Sequence, residues 1–260
     1  MLLCIDCGNT QTTIGMYQGE DGEGELVDRW RVATSVERTS DDHALLLDQL
    51  LDLHGLGLDD VRGVCIASTA PALTATLREM CQRRLGRAQL IVVEAGVRTG
   101  MPIRYDNPRE VGPDRIANAV AAFDLYGGPT TVVDFGTATI FDAISEKGEY
   151  LGGAIFPGLD VSLDALFGRA AALRRVELAP PKNVIGRSVT ESIQSGVVLG
   201  FASVVEGMCD RFDEATQNRA TVVFTGSPAE LIAPVVGRDA HVELWLTLEG
   251  LRLIYRRNLA

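Results

Sequence analysis

The sequence predicts an α/β fold built from two related halves. One short signature occurs twice, as Asp6-Cys7-Gly8-Asn9-Thr10 and as Asp134-Phe135-Gly136-Thr137-Ala138-Thr139, and the copies lie 128 residues apart in a chain of 260. An apolar run typical of a buried strand precedes each copy. A strand meander and then helices follow each copy, and this repeated order indicates a duplicated domain.

The first half begins with strands whose residues alternate in strand fashion and continues with amphipathic helices. Apolar residues at helical spacing mark the helices, and the second has Pro71 in its first turn and Gly86 just past its end. We expect strands at residues 2–6, 12–17, 26–32, 61–68 and 90–94, and helices at 41–53 and 71–85.

The second half repeats this plan after an irregular stretch at 97–107. Ile116, Val120 and Phe123 mark a helix that ends at Gly127-Gly128. Later, Ser188 and Glu191 match a capping box that opens a long helix through about Ala215. We expect strands at 131–134, 140–145, 150–156 and 221–224, and two short helices at the C-terminus.

The repeated loops have the chemistry of phosphate binding. A glycine flanked by hydroxyl and amide residues exposes backbone N–H groups and lets a phosphate approach the main chain. A carboxylate at the strand end, as in Asp6 and Asp134, is suited to a magnesium ion that bridges such phosphates. The spacing therefore predicts two related halves that face each other across a nucleotide.

The net charge and the hydropathy of the chain argue against two classes of binding partner, nucleic acids and membranes. The formal net charge is −11, which argues against a nucleic-acid or anionic membrane surface. No apolar run approaches the roughly 20 residues needed to span a bilayer, and the N-terminus reads as a strand rather than a signal peptide. We expect a cytoplasmic protein that binds neither nucleic acid nor membrane.

Five cysteines form no disulfide framework. Cys4-Ile5-Asp6-Cys7 matches C-x-x-C, but residues i and i+3 of a strand point to opposite faces, so these thiols would not converge on one metal. We expect packing roles for the cysteines, with a metal or redox role as the alternative.

The motifs together resemble the type III pantothenate kinases, a family of the acetate and sugar kinase/Hsp70/actin superfamily. The resemblance covers the whole chain, and the order and spacing of its motifs match. Besides the two loops, the motifs are Tyr105 and Asn107 before Gly112-Pro113-Asp114-Arg115, and then Gly152-Gly153-x-Ile155-x-Pro157-Gly158.

The resemblance implies two ribonuclease-H-like (actin-like ATPase) domains with a nucleotide cleft between them, at residues 1–112 and 113–260. It implies ATP-dependent phosphorylation of pantothenate to 4'-phosphopantothenate, the first step of coenzyme A biosynthesis. It further implies a homodimer that needs Mg²⁺ and a monovalent cation, K⁺ or NH₄⁺. Gly196 and Gly200 fit a dimer helix, although close packing on the sheet explains them as well.

The resemblance also assigns the ATP and metal sites. Asp6 would hold Mg²⁺ through water, Asp134 the monovalent cation, and Thr137 would contact ATP. The remaining residues of the first loop would bind the phosphates with N–H and O–H groups: Cys7, Gly8, Asn9, Thr10, Gln11, Thr12 and Thr13. A plain strand-to-turn role is the alternative reading of this loop.

Asp114 is the expected catalytic base and also part of the pantothenate site, with Gly112, Pro113 and Arg115 around it and Tyr105 along the substrate's aliphatic stem. A helix N-terminus and the neighbouring Arg115 both favour the charged carboxylate, so a lowered pKa is expected for Asp114. Simpler roles stay open: a helix cap for Asp114, a surface ion pair for Arg115 and a half-buried loop residue for Tyr105.

Two positions depart from the family pattern. Val189 stands where a threonine usually contacts substrate from the partner subunit, so a hydroxyl contact would have to come from Ser188 or Thr190. Ser227 replaces a glycine of the nucleotide pocket, where it would crowd adenine if its φ had to be positive.

Two other functions compete with this one. A kinase of the same superfamily would act on another small alcohol or sugar, and a non-catalytic regulator would serve as a transcription accessory factor. A degenerate regulator would be expected to lose Asp6 or Asp114, and this chain keeps both.

Overall fold

The computed structural model describes residues 1–19, 21–170 and 173–259 and divides into two compact units. Unit 1 comprises Met1–Met101, Asp106–Ala121 and Thr247–Ala260, and unit 2 comprises Pro102–Tyr105 and Ala122–Leu246. All strands of the first sheet precede residue 112 and all strands of the second follow residue 113. The domain boundary itself, between residues 112 and 113, stays a prediction.

Unit 1 is built on a five-stranded mixed sheet in the order β3-β2-β1-β4-β5. β1, β2 and β3 form an antiparallel meander, and β4 and β5 run parallel to β1 because helices connect them. The strands are β1 (Leu2–Cys7), β2 (Gln11–Tyr17), β3 (Leu26–Ala33), β4 (Gly63–Ser68) and β5 (Gln89–Val92).

Helices cover this sheet. The helices α1 (Ser40–Asp52) and α2 (Pro71–Arg84) pack on the face that carries Leu3, Ile5 and Cys7. Thr39, rather than Ser40, caps α1 through a reciprocal capping box with Asp42. Two further helices, α3 (Pro113–Tyr126) and α7 (Leu246–Arg257), contribute residues 113–121 and 247–257 to this unit.

The C-terminal helix α7 packs against the N-terminal sheet. Leu248 and Tyr255 fill the space beside Gly15 and Gly63, where an added Cβ would collide with them. Arg252 donates a hydrogen bond to the carbonyl oxygen of Gly22 at 2.7 Å. Burial is the largest cause that raises the pKa of the Cys4 thiol. The charges of Glu249 and Arg252 on α7 also act on this thiol, the first raising and the second lowering its pKa, so Cys4 lies near this helix.

Unit 2 repeats the sheet of unit 1 strand for strand. Its order is β10-β9-β6-β7-β8, with an antiparallel meander of β6, β7 and β8 and with β9 and β10 parallel to β6. This identity of order and direction confirms the predicted duplication. The strands are β6 (Thr130–Phe135), β7 (Ala138–Ile144), β8 (Tyr150–Pro157), β9 (Thr221–Thr225) and β10 (Ala240–Val242).

Three helices accompany the second sheet: α4 (Leu159–Arg169), α5 (Val189–Thr216) and α6 (Ala229–Ile232). Sequence analysis predicted α5 but missed α4 and β10. The N-cap of α5 is Ser188, whose hydroxyl accepts a hydrogen bond from the Glu191 N–H at 3.2 Å. The Glu191 carboxylate accepts from the Arg187 N–H instead of completing the box on Ser188.

By length and composition α5 is apolar enough to cross a membrane, and it is the one such helix in the described part of the chain. Sequence analysis did not single it out. Its buried residues Val198, Phe201 and Val205 belong to the core cluster of unit 2. Core helices of soluble proteins pass the same test, so this feature is weak evidence for a membrane span.

Candidate active site

The first loop is a hairpin turn between β1 and β2. Asp6 is the penultimate residue of β1 and pairs with Thr13. The Gly8 N–H donates to the Gln11 carbonyl oxygen at 3.0 Å and closes the turn. This N–H is therefore engaged inside the loop, while Asn9, Thr10 and Gln11 are exposed and present their polar groups outward.

A chain of hydroxyl groups supports this turn from below. The Thr34 hydroxyl donates to the Gly8 carbonyl oxygen at 2.8 Å, so its proton is committed. Thr12 must therefore donate to Thr34, at 2.9 Å, and the Cys7 thiol donates to Thr12, at 3.3 Å. The thiol holds its proton because burial raises the pKa of Cys7.

This arrangement divides the residues of the loop into two kinds. Cys7 and Thr12 are buried and hold the turn in place, whereas exposed residues provide its outer surface. Thr34 was missed because it lies just past the end of β3, 24 residues after Thr10. Only the strand pairing, which sets Thr12 opposite Val32, brings it beneath the loop.

The second loop has the same design in unit 2. Asp134 is the penultimate residue of β6, as Asp6 is of β1, and it pairs with Ile140. The Gly136 N–H donates to Ala138 O at 3.0 Å, and the exposed Thr137 accepts a backbone hydrogen bond from Gly158. An added Cβ on Gly158 would collide with the carbonyl groups of the loop, so glycine permits this close approach.

The strands that carry the two loops, β1 and β6, each pair with a parallel strand, β4 and β9. Each of these parallel strands leads through a short turn into a helix that has a proline at, or just before, its first residue. β4 ends before Thr69, whose N–H donates to the Cys7 carbonyl oxygen at 3.1 Å. β9 ends before Gly226, which has φ +86° and lies against the backbone of Phe135. Ser227 does not have a positive φ, since Gln217 is the only non-glycine residue with one in the described chain. The condition under which Ser227 would crowd adenine is therefore not met.

A cavity of about 360 Å³ lies beside this turn within unit 2. Gly158 and Gly226 touch the second loop, and the residues that follow them line the cavity, so it begins where the loop ends. Asp160, Asp164 and Arg175 contribute charge, and Arg175 pairs with Asp164. Its remaining lining is largely apolar and includes Leu159, Leu163, Phe167, Val176, Ser227 and Pro228.

Asp114 lies in the first turn of α3, one residue after Pro113. Its Oδ1 is buried and has no hydrogen-bond partner. Gly112 makes room for it, because a Cβ on Gly112 would collide with Oδ1. The carboxyl also meets the backbone N–H groups of Arg115 and of Asp114 itself, as a helix cap would, so capping stays an alternative for the rest of the group.

The environment raises the pKa of Asp114 above the ordinary carboxyl value. Loss of solvation is the largest cause, and it outweighs the backbone N–H groups of Arg115 and Asp114 and the charge of Arg115. The expected lowering was therefore wrong in direction. The helix terminus and Arg115 act as predicted, but burial, which sequence does not show, dominates.

Arg115 is 6% exposed, so the alternative of a surface ion pair is wrong. Its neighbour on the next turn, Asn118, is fully buried and accepts a hydrogen bond from the Thr247 hydroxyl at 2.7 Å.

The remaining candidate residues lie in unit 2. Tyr105 packs near Tyr150, with ring centroids 6.3 Å apart. Val189 is 59% exposed at the start of α5 and lines a second cavity, of about 760 Å³, with Arg187 and Ser188. The structure thus places two groups of candidate residues in unit 1: residues 6–13 in one hairpin and residues 112–115 at the start of one helix. The other candidates lie in unit 2: Tyr105, Asp134, Thr137 and Val189.

Comparison with known proteins identifies the family. The family model described as type III pantothenate kinase matches residues 2–211. A type III pantothenate kinase of Moorella thermoacetica is 52% identical over 258 residues, which is 99% of this chain and 100% of the relative.

Solved structures show the fold at lower identity. The "conserved putative Baf family transcriptional activator" of Campylobacter jejuni superimposes with a TM-score of 0.62 at 18% identity, over 98% of both chains. The "putative N-acetylglucosamine kinase" of Porphyromonas gingivalis gives 0.53 at 16% identity, over 100% of both. These matches confirm the predicted fold of two duplicated α/β domains. The family model and the full-length relative show more than the fold: the chain belongs to the type III pantothenate kinase family.

Proposed function

We propose that this protein transfers the γ-phosphoryl group of ATP to the primary hydroxyl of pantothenate and so forms 4'-phosphopantothenate, the first step of coenzyme A biosynthesis. Family membership supplies the reaction. The structural observation that carries the assignment is the buried, unpaired Oδ1 of Asp114 with its raised pKa. An acceptor of this kind is suited to take one proton from a neutral alcohol.

Asp114 acts as the base. The hydroxyl oxygen of pantothenate forms a bond to the γ-phosphorus as the bond to the bridging oxygen of ADP breaks, and the hydroxyl proton passes to Oδ1. Phosphoryl transfer has a loose transition state, so alignment matters more than strong basicity. Fixing the carboxylate beside Gly112 supplies that alignment.

The loops divide the work of nucleotide binding. Asn9, Thr10, Gln11 and Thr13 offer donors to the phosphates, and Gly8 permits their approach, while Cys7 and Thr12 keep the turn rigid. Thr137 contacts ATP from the second loop. The 360 Å³ cavity that begins at this loop has the apolar walls that a nucleobase requires.

Asp6 and Asp134 fit the metal ions. Mg²⁺ prefers few carboxylates together with water and phosphate oxygens, and the partly exposed Asp6 at a strand end offers one carboxylate for contact through water. When bound, Mg²⁺ neutralises phosphate charge. Asp134 has the same position on β6, and its oxygen suits a hard monovalent cation, K⁺ or NH₄⁺.

By the family resemblance, Gly112, Pro113 and Arg115 of unit 1 bind pantothenate and Tyr105 of unit 2 packs along its aliphatic stem. The same resemblance implies further contacts from a partner subunit. α5 supports a homodimer, because a Cβ added to Gly196 or Gly200 would meet no atom within 4 Å. The small-residue face therefore does not pack on its own sheet, and a second copy can approach it closely. Val189 or its neighbours Ser188 and Thr190 would reach the substrate from that copy.

An acidic chain of this family acts as a cytoplasmic enzyme on a small molecule, with no nucleic acid or membrane as partner. A coupled ADP-release assay on the full chain tests the function. We expect turnover with pantothenate that depends on K⁺ or NH₄⁺. Phosphorylation of a sugar but not of pantothenate, or ADP release with no alcohol in a panel, would overturn it.

A further inference from the structure

The segment that carries Tyr105 is docked on the outer edge of β8. The Tyr150 N–H donates to Pro102 O at 2.9 Å, and the Arg104 N–H donates to Tyr150 O at 2.8 Å. These two bonds make Ile103 the parallel bridge partner of Tyr150. The segment is therefore a one-bridge extension of the second sheet, fixed at a single residue.

A charged clamp adds to this docking. The Arg104 guanidinium donates through Nε and Nη2 to Glu149 Oε1, at 2.9 and 2.6 Å. The Arg104 side chain is 63% exposed and that of Glu149 23% exposed. Glu149 also meets the Ser145 hydroxyl, at 3.4 Å, so its carboxylate is held from the sheet side. The clamp thus ties the residue before Tyr105 to the residue before Tyr150.

The Tyr105 ring rests on the first residues of β8. It lies beside Tyr150, with the two rings inclined at 55°, and a Cβ built on Gly152 would be 3.6 Å from its edge. Gly152 has φ +125° and follows an irregularity in the pairing of β7 with β8. The irregularity lies between Tyr150 and Gly152 on β8, the two residues that the Tyr105 ring contacts, and bulges are common next to functional sites.

Tyr150 is anchored in turn. It is fully buried, and its hydroxyl donates to Asp142 Oδ1 at 2.7 Å. Asp142 is also fully buried, in the middle strand of the meander. The position of Tyr105 is therefore set by contacts that lead into the rigid part of the sheet rather than by the loop itself.

We propose that Glu149, Tyr150 and Gly152 form a seat for Tyr105, and that Arg104 and these three are positioning residues for the acceptor substrate. The proposal rests on the proposed function, since it gives Tyr105 the acceptor. A tyrosine seated at fixed depth selects for the length of the aliphatic stem that packs along it. Loosening the seat weakens binding of pantothenate without changing the nucleotide site or the base.

A double-mutant cycle tests the clamp on the full chain. Arg104→Ala and Glu149→Ala should each raise the pantothenate KM about 3- to 10-fold, and the double variant should raise it no more than either one. The KM for ATP and kcat should stay within about twofold. The exchange of charges, Arg104→Glu with Glu149→Arg, should restore much of the loss. Because Arg104 is exposed, its replacement leaves the fold intact.

Arg78→Ala is the matched control, because Arg78 makes an exposed ion pair with Glu94 at 3.1 Å in unit 1. It should leave all constants unchanged. Tyr150→Phe tests the anchor beneath the clamp and should also raise the pantothenate KM selectively.

Tyr105→Ala separates the two ways to fail. If this variant raises the pantothenate KM while the clamp variants do not, the seat is overturned and the substrate site stands. If Tyr105→Ala leaves that KM unchanged, Tyr105 does not bind the acceptor, and the seat falls with that assignment. A parallel loss in kcat and both KM values would mark a merely structural role and would overturn the proposal.

Discussion

The Thr34 hydroxyl lies 2.8 Å from the carbonyl oxygen of Gly8 and donates to it. Since Gly8 lies in the turn between β1 and β2, a residue just past the end of β3 holds this turn in position. The hydrogen bonds run from the Cys7 thiol to Thr12, from Thr12 to Thr34, and from Thr34 to the carbonyl oxygen of Gly8. The three side chains together therefore hold the main chain of the turn.

Thr34→Val should therefore raise the KM for ATP about 3- to 10-fold, the equivalent of roughly 1 kcal/mol for one lost hydrogen bond. The KM for pantothenate should change little. Thr76→Val is the control, because the exposed Thr76 hydroxyl bonds only its own helix, at Ala72. Steady-state kinetics with each substrate varied check this, and an unchanged KM for ATP would contradict it.

Asp114→Asn should lower kcat by about 10²- to 10⁴-fold, the usual contribution of a general base. The amide keeps the shape of the carboxylate, so ATP affinity measured by calorimetry should stay within about twofold. Turnover near that of the unaltered enzyme would remove Asp114 from its catalytic role.

The raised pKa of Asp114 predicts a pH dependence of stability. A carboxyl with a higher pKa in the folded state binds protons more tightly there than in the unfolded state. The stabilisation that Asp114 gives to the folded state is complete below the ordinary carboxyl pKa, and it is lost as the pH rises through the pKa of Asp114 in the folded state. Asp114→Asn should remove this part of the decline in unfolding free energy, which denaturant titrations between pH 3 and about pH 7 would measure.

Gly226→Ala should destabilise unit 2 by more than its backbone angle alone explains. A positive φ costs a non-glycine residue about 1–2 kcal/mol, and collision with the Phe135 backbone adds about 1–3 kcal/mol. Gly127→Ala is the control, since Gly127 has φ +70° with no atom within 4 Å of an added Cβ. Equal losses in thermal unfolding would show that the close approach has no cost.

Gly196→Arg should weaken a homodimer about 100-fold or more, because it places an unpaired charge on the small-residue face of α5. Sedimentation equilibrium measures the dissociation constant. Gly86→Arg, at an exposed position in unit 1, is the control and should leave assembly unchanged. A dimer of normal strength in the Gly196 variant would exclude this face as the interface.

The repeated sheet was predictable because strand alternation and the two loop signatures are local in sequence. The short β10 and the helix α4 were missed for local reasons too: β10 has only three residues, and the N-cap of α4, Gly158, offers no side-chain hydrogen bond. Neither leaves a clear start signal.

The residues of the candidate site can be picked out from sequence motifs, but their environment cannot. Motifs located Asp6, Asp114 and Asp134, whereas the pKa of Asp114 depends on burial that tertiary packing creates. Thr34 and the β8 residues around Tyr105 carry no motif of their own. They act through contacts between strands and segments distant in sequence, which one sequence does not reveal.

The packing of α7 against β1 and β4 has a consequence for the order of events during protein synthesis. A ribosome makes the N-terminal sheet first, but the helix that shields Gly63 and the outer face of β1 emerges only after all of unit 2 has been made. Until α7 has been synthesised, the face of the N-terminal sheet that α7 covers in the finished protein stays exposed to solvent. Cleavage after residue 246 should therefore harm the beginning of the protein more than the segment adjoining the cut.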